Sequence, residues 1–184
     1  MRIFFLFCLF LSGQILGATA TEHAVVYFSP QDQVEKRLIS MIEKEKSSIS
    51  VAIYCLTHRG IAAALVDAKK RGVAVDIVVD RFSVKVKSPL GKMVAAGIPV
   101  HVWDPDPDHR KKAHRPLMHN KFCIFGDDLV WTGSFNFTYE GARMHEENVV
   151  VIRDAALAAA YKNQLTNIKL KSCTPFSSYV AYKK

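Results

Sequence analysis

Residues 119–138 read HNKFCIFGDDLVWTGSFNFT. Two apolar runs flank Gly126-Asp127, a pair suited to a tight turn, so the stretch reads as a β-hairpin with strands at 119–125 and 128–132. Side chains two apart on a strand share a face. His119 and Lys121 would therefore project together, with Phe122 and Ile124 on the opposite side. Ser134 and Asn136 repeat the two-residue spacing just past the second strand. An antiparallel hairpin sets the start of one strand beside the end of the other. Imidazole, ammonium, hydroxyl and carboxamide can thus meet at one point.

Working outward, AVVYFS (24–29) has the pattern of a short strand. Ser29, Pro30 and Asp32 offer an N-cap, a proline at the first helical position and an acid in the first turn, so a helix is expected over 30–46. SISVAIYCL (48–56) reads as a buried strand, 60–72 as a helix stopped by Gly72, and VAVDIVVD (73–80) as another strand. A short helix near 88–96 precedes the strand IPVHVW (98–103), and 104–116, with its prolines and charges, reads as a loop. After the hairpin come a turn of helix, the strand NVVVIR (148–153) and a helix over 154–171. Strands alternating with helices predict an α/β/α sandwich, and the hairpin makes its buried sheet mixed.

The first twenty residues are different in kind. Arg2 precedes the apolar IFFLFCLFLSGQIL, and Ala18-Thr19-Ala20 follows. A positive start, an apolar stretch and small residues at a cleavage site have the form of a secretory signal peptide, which leaves one domain over 21–184. The competing reading is an uncleaved membrane anchor, although Ser12, Gly13 and Gln14 interrupt the apolar run and leave it short for a full span. Losing residues 1–20 removes Arg2 and no acid, which takes the formal charge from +8 to +7. That excess suits a polyanion: nucleic acid or an anionic lipid surface. Lys69, Lys70 and Arg71 have the look of a solvated helix face. Lys85 with Lys87, and Arg110, Lys111 and Lys112 with Arg115, are the candidate contacts for such a partner, the second group because its loop runs straight into the hairpin.

Cys55, Cys123 and Cys173 remain after the leader, an odd number, and buried thiols are the default reading. No Cys-x-x-Cys or His-x-x-x-His spacing occurs, so a structural zinc is not expected; no cofactor is expected either. The chemistry then falls to the hairpin cluster. Imidazole serves as nucleophile or acid/base near neutral pH, lysine meets phosphate oxygens, and Ser134 and Asn136 offer neutral hydrogen bonds. A carboxylate is still needed to fix the imidazole tautomer, and Glu146 and Glu147 stand where a strand begins.

The hairpin resembles the HKD motif of the phospholipase D superfamily: His-x-Lys, four residues, Asp, six residues, Gly-Ser-x-Asn. His119, Lys121, Gly133, Ser134 and Asn136 fall in register, while Gly126 stands where the family has Asp. That position is at the turn, so a structural consequence is expected rather than a chemical one. The helix–strand pattern from Val26 to about Leu170 is similar to that of the small, single-motif, secreted bacterial nucleases of this superfamily and of the mitochondrial nuclease Zucchini.

The resemblance implies a metal-independent phosphodiesterase, an endonuclease on DNA or RNA, for which a narrow site between two protomers would favour single strands, with the alternatives of a phospholipase on lipid head groups and a non-catalytic nucleic-acid-binding protein. It implies a homodimer, because family members carry two motifs and this chain has one, with the active site on the two-fold axis. It implies a phosphohistidine on His119, oxyanion contacts from Lys121, Ser134 and Asn136, and Glu147 as the group that orients the histidine. Location is expected to be secreted or periplasmic, or membrane-anchored if the leader is retained.

Overall fold

The computed structural model describes residues 24–85, 88–105 and 115–182. The leader over 1–20 lies outside these residues, as do Lys87, Arg110, Lys111 and Lys112. In chain order the elements are β1 (Ala24–Ser29), α1 (Val34–Lys44), β2 (Ser48–Ile53), α2 (Arg59–Lys70), β3 (Ala74–Asp80), the single turn α3 (Phe82–Lys85), α4 (Leu90–Ala95), β4 (Val100–Trp103), β5 (Lys121–Phe125), β6 (Leu129–Gly133), α5 (Tyr139–Arg143), β7 (Glu147–Arg153), α6 (Ala155–Ser172), β8 (Cys173–Pro175) and α7 (Phe176–Tyr182).

The strands form one sheet in the order β1-β7-β6-β5-β2-β3-β4-β8. β2, β3 and β4 run parallel, and the remaining pairings are antiparallel. The mixed α/β/α sandwich expected from the sequence is therefore present. Strand alternation divides the core. Ile49, Val51 and Ile53 of β2, with Ile77 and Val79 of β3, pack with Val34, Leu38 and Ile42 of α1 and Ile61 and Leu65 of α2. Ala52, Val78, Phe122 and Ile124 face the other way, against Ala158, Leu165 and Ile168 of α6. Each fully buried aliphatic side chain contributes about 1.5–3 kcal/mol, so the sandwich is held chiefly by these two layers.

Several boundaries differ from expectation. α1 begins at Val34, not at residue 30, after a cis Ser29-Pro30 bond and a left-handed Gln33 (φ 52°). Asp32 folds back instead of capping: its carboxylate accepts from Phe28 N at 2.8 Å. The Ser29 hydroxyl donates to the carbonyls of Gly141 (2.8 Å) and His145 (3.0 Å), which ties β1 to α5. The same residues serve turns and helix starts alike, and here the turn wins. α3, β8 and α7 lie beyond the sequence reading altogether.

At the hairpin, Phe125 pairs with Leu129, so the turn holds three residues, Gly126 to Asp128, with Gly126 left-handed (φ 56°). Asp127 reaches Lys162 on α6 and Asp128 reaches Arg153 on β7, each at 2.5 Å. Neither acid points back toward the His-Lys end of the hairpin.

Candidate active site

One rim of the sheet collects the polar residues, and the topology explains how. β2 and β5 are antiparallel with Ile53 opposite Lys121, so the end of β2 meets the start of β5. Tyr54 N donates to the Asn120 carbonyl at 2.9 Å and continues that pairing. β6 ends and β7 begins at the same rim, where Gly133 faces Val149. Asp80 closes β3 beside them.

β5 starts at Lys121, so His119 sits in the preceding segment and not on the strand. Its partner holds it nonetheless: Lys121 Nζ lies 3.1 Å from His119 Nδ1 and donates to the His119 carbonyl at 2.8 Å. The Tyr54 ring covers the imidazole at a centroid distance of 4.6 Å. Burial, then the nearby Lys121 charge, lowers the His119 pKa below its ordinary value, against an opposing pull from Asp80. A neutral imidazole at neutral pH is the form with a lone pair for attack. Lys121 is also lowered, by burial, with Glu147 acting to raise it.

After β6 the chain crosses the start of β5 to reach the extension of β2. Phe137 bridges Leu56, and its N–H donates to the Cys55 carbonyl at 3.0 Å. Phe135 and Phe137 are buried, which leaves Ser134 and Asn136 to alternate away from them. The backbone of residues 134–136 therefore passes the Lys121 end of β5, and the Asn136 carboxamide is partly withdrawn from solvent there. Its Oδ1 is buried with no hydrogen-bond partner among the described residues. Ser134 is exposed and locked to Asn148: its hydroxyl accepts from Asn148 N at 3.0 Å, and its own N–H donates to the Asn148 carbonyl at 3.0 Å. The hydroxyl proton is left to donate elsewhere.

Gly133 makes the crossing feasible. A Cβ there would stand 2.1 Å from the Asn148 carbonyl oxygen, so the approach of the two strands excludes any side chain.

Glu147 opens β7 partly buried, and its side chain lies 3.9 Å from His145 Nδ1. Within one chain it acts electrostatically on Lys121, while Asp80 is the carboxylate that acts on His119. Glu146 lies 3.5 Å from the Gln31 amide. Arg115, expected to meet substrate, is instead buried in an ion pair with Asp104, which also accepts from the Tyr179 hydroxyl at 2.6 Å. Lys85 is placed on α3 by its backbone.

Two residues at the rim escaped the sequence reading. Asp80 is fully buried, accepting from Phe82 N at 2.8 Å and Met118 N at 2.9 Å. Its position at the carboxyl end of a parallel strand was the available signal, since ligands gather at such ends. Tyr54 follows β2 in the same way. Cys55 is buried, with its thiol pushed up to about 11, and Cys55, Cys123 and Cys173 are all unpaired. Among the described residues no three His, Cys, Asp or Glu side chains come together as metal ligands.

Residues 38–169 match the family described as cardiolipin synthase, PLD-like domain. The chain belongs to the phospholipase D-like family. It is 38% identical over 135 residues to a phospholipase D of Rickettsia bellii, a match that covers 73% of this chain and 63% of the relative. The chain thus spans less than two thirds of that relative's length. A mitochondrial cardiolipin hydrolase of Xenopus tropicalis is 23% identical over 138 residues, 74% of this chain and 61% of its own length. Among solved structures, the phospholipase D family member Nuc from Salmonella typhimurium superposes with a TM-score of 0.73 at 29% identity, covering 84% of this chain and 97% of Nuc.

Proposed function

We propose that this protein is an exported phosphodiesterase that hydrolyses nucleic acid through a phosphohistidine and works as a homodimer. The observation that carries the reading is the meeting of His119, Lys121 and the Ser134–Asn136 crossing at one rim. Attack needs a lone pair on one imidazole nitrogen and a proton held on the other. In the single chain Lys121 faces Nδ1, so an acceptor has to replace it before Nε2 can attack. Glu147 is the group assigned to that task.

In the first step Nε2 of His119 bonds to phosphorus. The P–O bond to the leaving oxygen breaks, and His119 of the second copy gives that oxygen a proton. In the second step the same partner imidazole takes a proton from water, whose oxygen attacks phosphorus as the P–N bond breaks. Lys121, Asn136 and Ser134 stabilise the charge on the non-bridging oxygens. One chain supplies one histidine of this kind, and the second copy completes the pair. Exposed Leu117, Tyr139 and Met144, close in sequence to the site residues, offer apolar surface for that copy to cover.

Positive charge favours a polyanionic substrate. The same exposed apolar residues also favour a second reading, a phospholipase that meets a membrane, as the names of the relatives suggest. The deciding experiment incubates the purified protein in EDTA with DNA, RNA and cardiolipin-containing vesicles. Cleavage of nucleic acid that His119→Ala abolishes supports the first reading. Head-group release without oligonucleotide cleavage supports the second.

A further inference from the structure

Phe82 stands at the same rim, 38% exposed, although burying an aromatic ring is worth far more to a fold than displaying it. It is not loose. Its ring lies parallel to Tyr54, centroids 5.2 Å apart and planes 7° apart. Tyr54 in turn covers the His119 imidazole, with Lys121 Nζ 5.4 Å from the Tyr54 ring centre. Tyr54 thus links Phe82, which stacks on it, to the His119 ring, which is tilted 54° to it, in one row of contacting rings.

Two buried polar groups fix the outer end of that row. The Asp80 carboxylate holds Phe82 N through one oxygen and, through the other, Met118 N, one residue before His119. The Ser83 hydroxyl, fully buried, donates to the Tyr54 carbonyl at 2.8 Å and accepts from Leu56 N at 3.1 Å. Each of the two ties α3 to the segments that carry the other members of the row. Burying such groups is tolerated only when they are fully bonded. Here their bonds hold an exposed ring in one position beside the site.

We propose that Phe82, braced on Tyr54, is a stacking platform for an unpaired nucleobase next to the scissile phosphate. Stacking suits this surface because every base has a flat π-face, whereas bases within a duplex are already stacked on their neighbours. The inference rests on the nuclease reading above.

The test uses single-stranded oligonucleotides in which methylphosphonates replace every linkage but one. The bases flanking the single diester are either intact or absent. Removing them should cost the wild type about tenfold in kcat/KM, within the range for one stacked base. Phe82→Ala should lose a similar factor on the intact strand and nothing more on the abasic one, while Phe82→Trp restores the preference for bases. Equal rates for wild type and Phe82→Ala, losses that multiply, or a duplex cut as fast as a single strand would overturn the platform. So would dissociation of a dimer by Phe82→Ala in sedimentation, or loss of vesicle binding with oligonucleotide cleavage unchanged. A wild type that neither binds nor cuts any oligonucleotide would refute the nuclease reading itself.

Discussion

Lys121 Nζ grips His119 at both ends, 3.1 Å from the ring Nδ1 and 2.8 Å from the carbonyl oxygen. The ammonium therefore fixes the histidine's position and also repels its protonation. Asp80 acts in the opposite sense. Substituting Lys121→Met should move the His119 titration upward, and Asp80→Asn should move it further down. Imidazole proton shifts followed by NMR across the acid range check both signs. Lys121→Met should also lower kcat by about 10²–10³, the loss seen when one oxyanion donor is removed.

Gly133 is required by close approach of backbone. A methyl at that position would meet Asn148 O at 2.1 Å and Val149 Cα at 2.9 Å, and backbone atoms cannot swing aside as a flexible side chain would. Gly133→Ala should destabilise the fold by about 3 kcal/mol, the upper end of ordinary overpacking. For a domain of this size that is a fall in Tm on the order of 10 °C, measurable by thermal denaturation. Because the strain falls on the β6–β7 pairing that positions Ser134, activity below Tm should fall as well.

The hairpin and the alternation of strands and helices were legible because apolar period and turn residues speak locally. The offsets His-x-Lys and Gly-Ser-x-Asn were legible for the same reason. Other features depend on partners distant in sequence. Asp80 gains its role from Met118, 38 residues away. Ser29 had the signals of a helix cap, yet its hydroxyl is claimed by Gly141, 112 residues on. Tertiary contacts decided these cases, and no periodicity announces them.

Gly126 tests what the departure from the family motif means. Its backbone is left-handed, and an added side chain would approach Ser47 Oγ at 3.4 Å and the Glu45 carboxylate at 3.9 Å. Glu45 is engaged with the N–H groups of Lys46, Ser47 and Ser48. Restoring the family residue by Gly126→Asp would add a second carboxylate beside it and a Cβ in a disfavoured conformation. A loss of about 1–2 kcal/mol is expected. Urea denaturation reads that loss. Turnover corrected for folded fraction should be unchanged, since the turn lies at the far end of the hairpin from His119.

His58 couples stability to pH. Its Nδ1 accepts from Ile61 N at 3.2 Å and caps α2, which an imidazolium cannot do. Burial first, with Arg143 adding to it against Glu35, lowers its pKa from the ordinary 6.5. Below 6.5 the unfolded chain takes up protons before the folded one does, so stability is full above that value. It is lost as pH falls toward the lowered folded value. His101 and His119 are lowered too and contribute with the same sign. His58→Asn keeps an N-cap acceptor that does not titrate. Urea midpoints for the wild type should fall between about pH 7.5 and about pH 5, and those of His58→Asn should fall less, by about the 1 kcal/mol that a cap is worth. Equal slopes for the two proteins would show that the α2 cap does not sense pH.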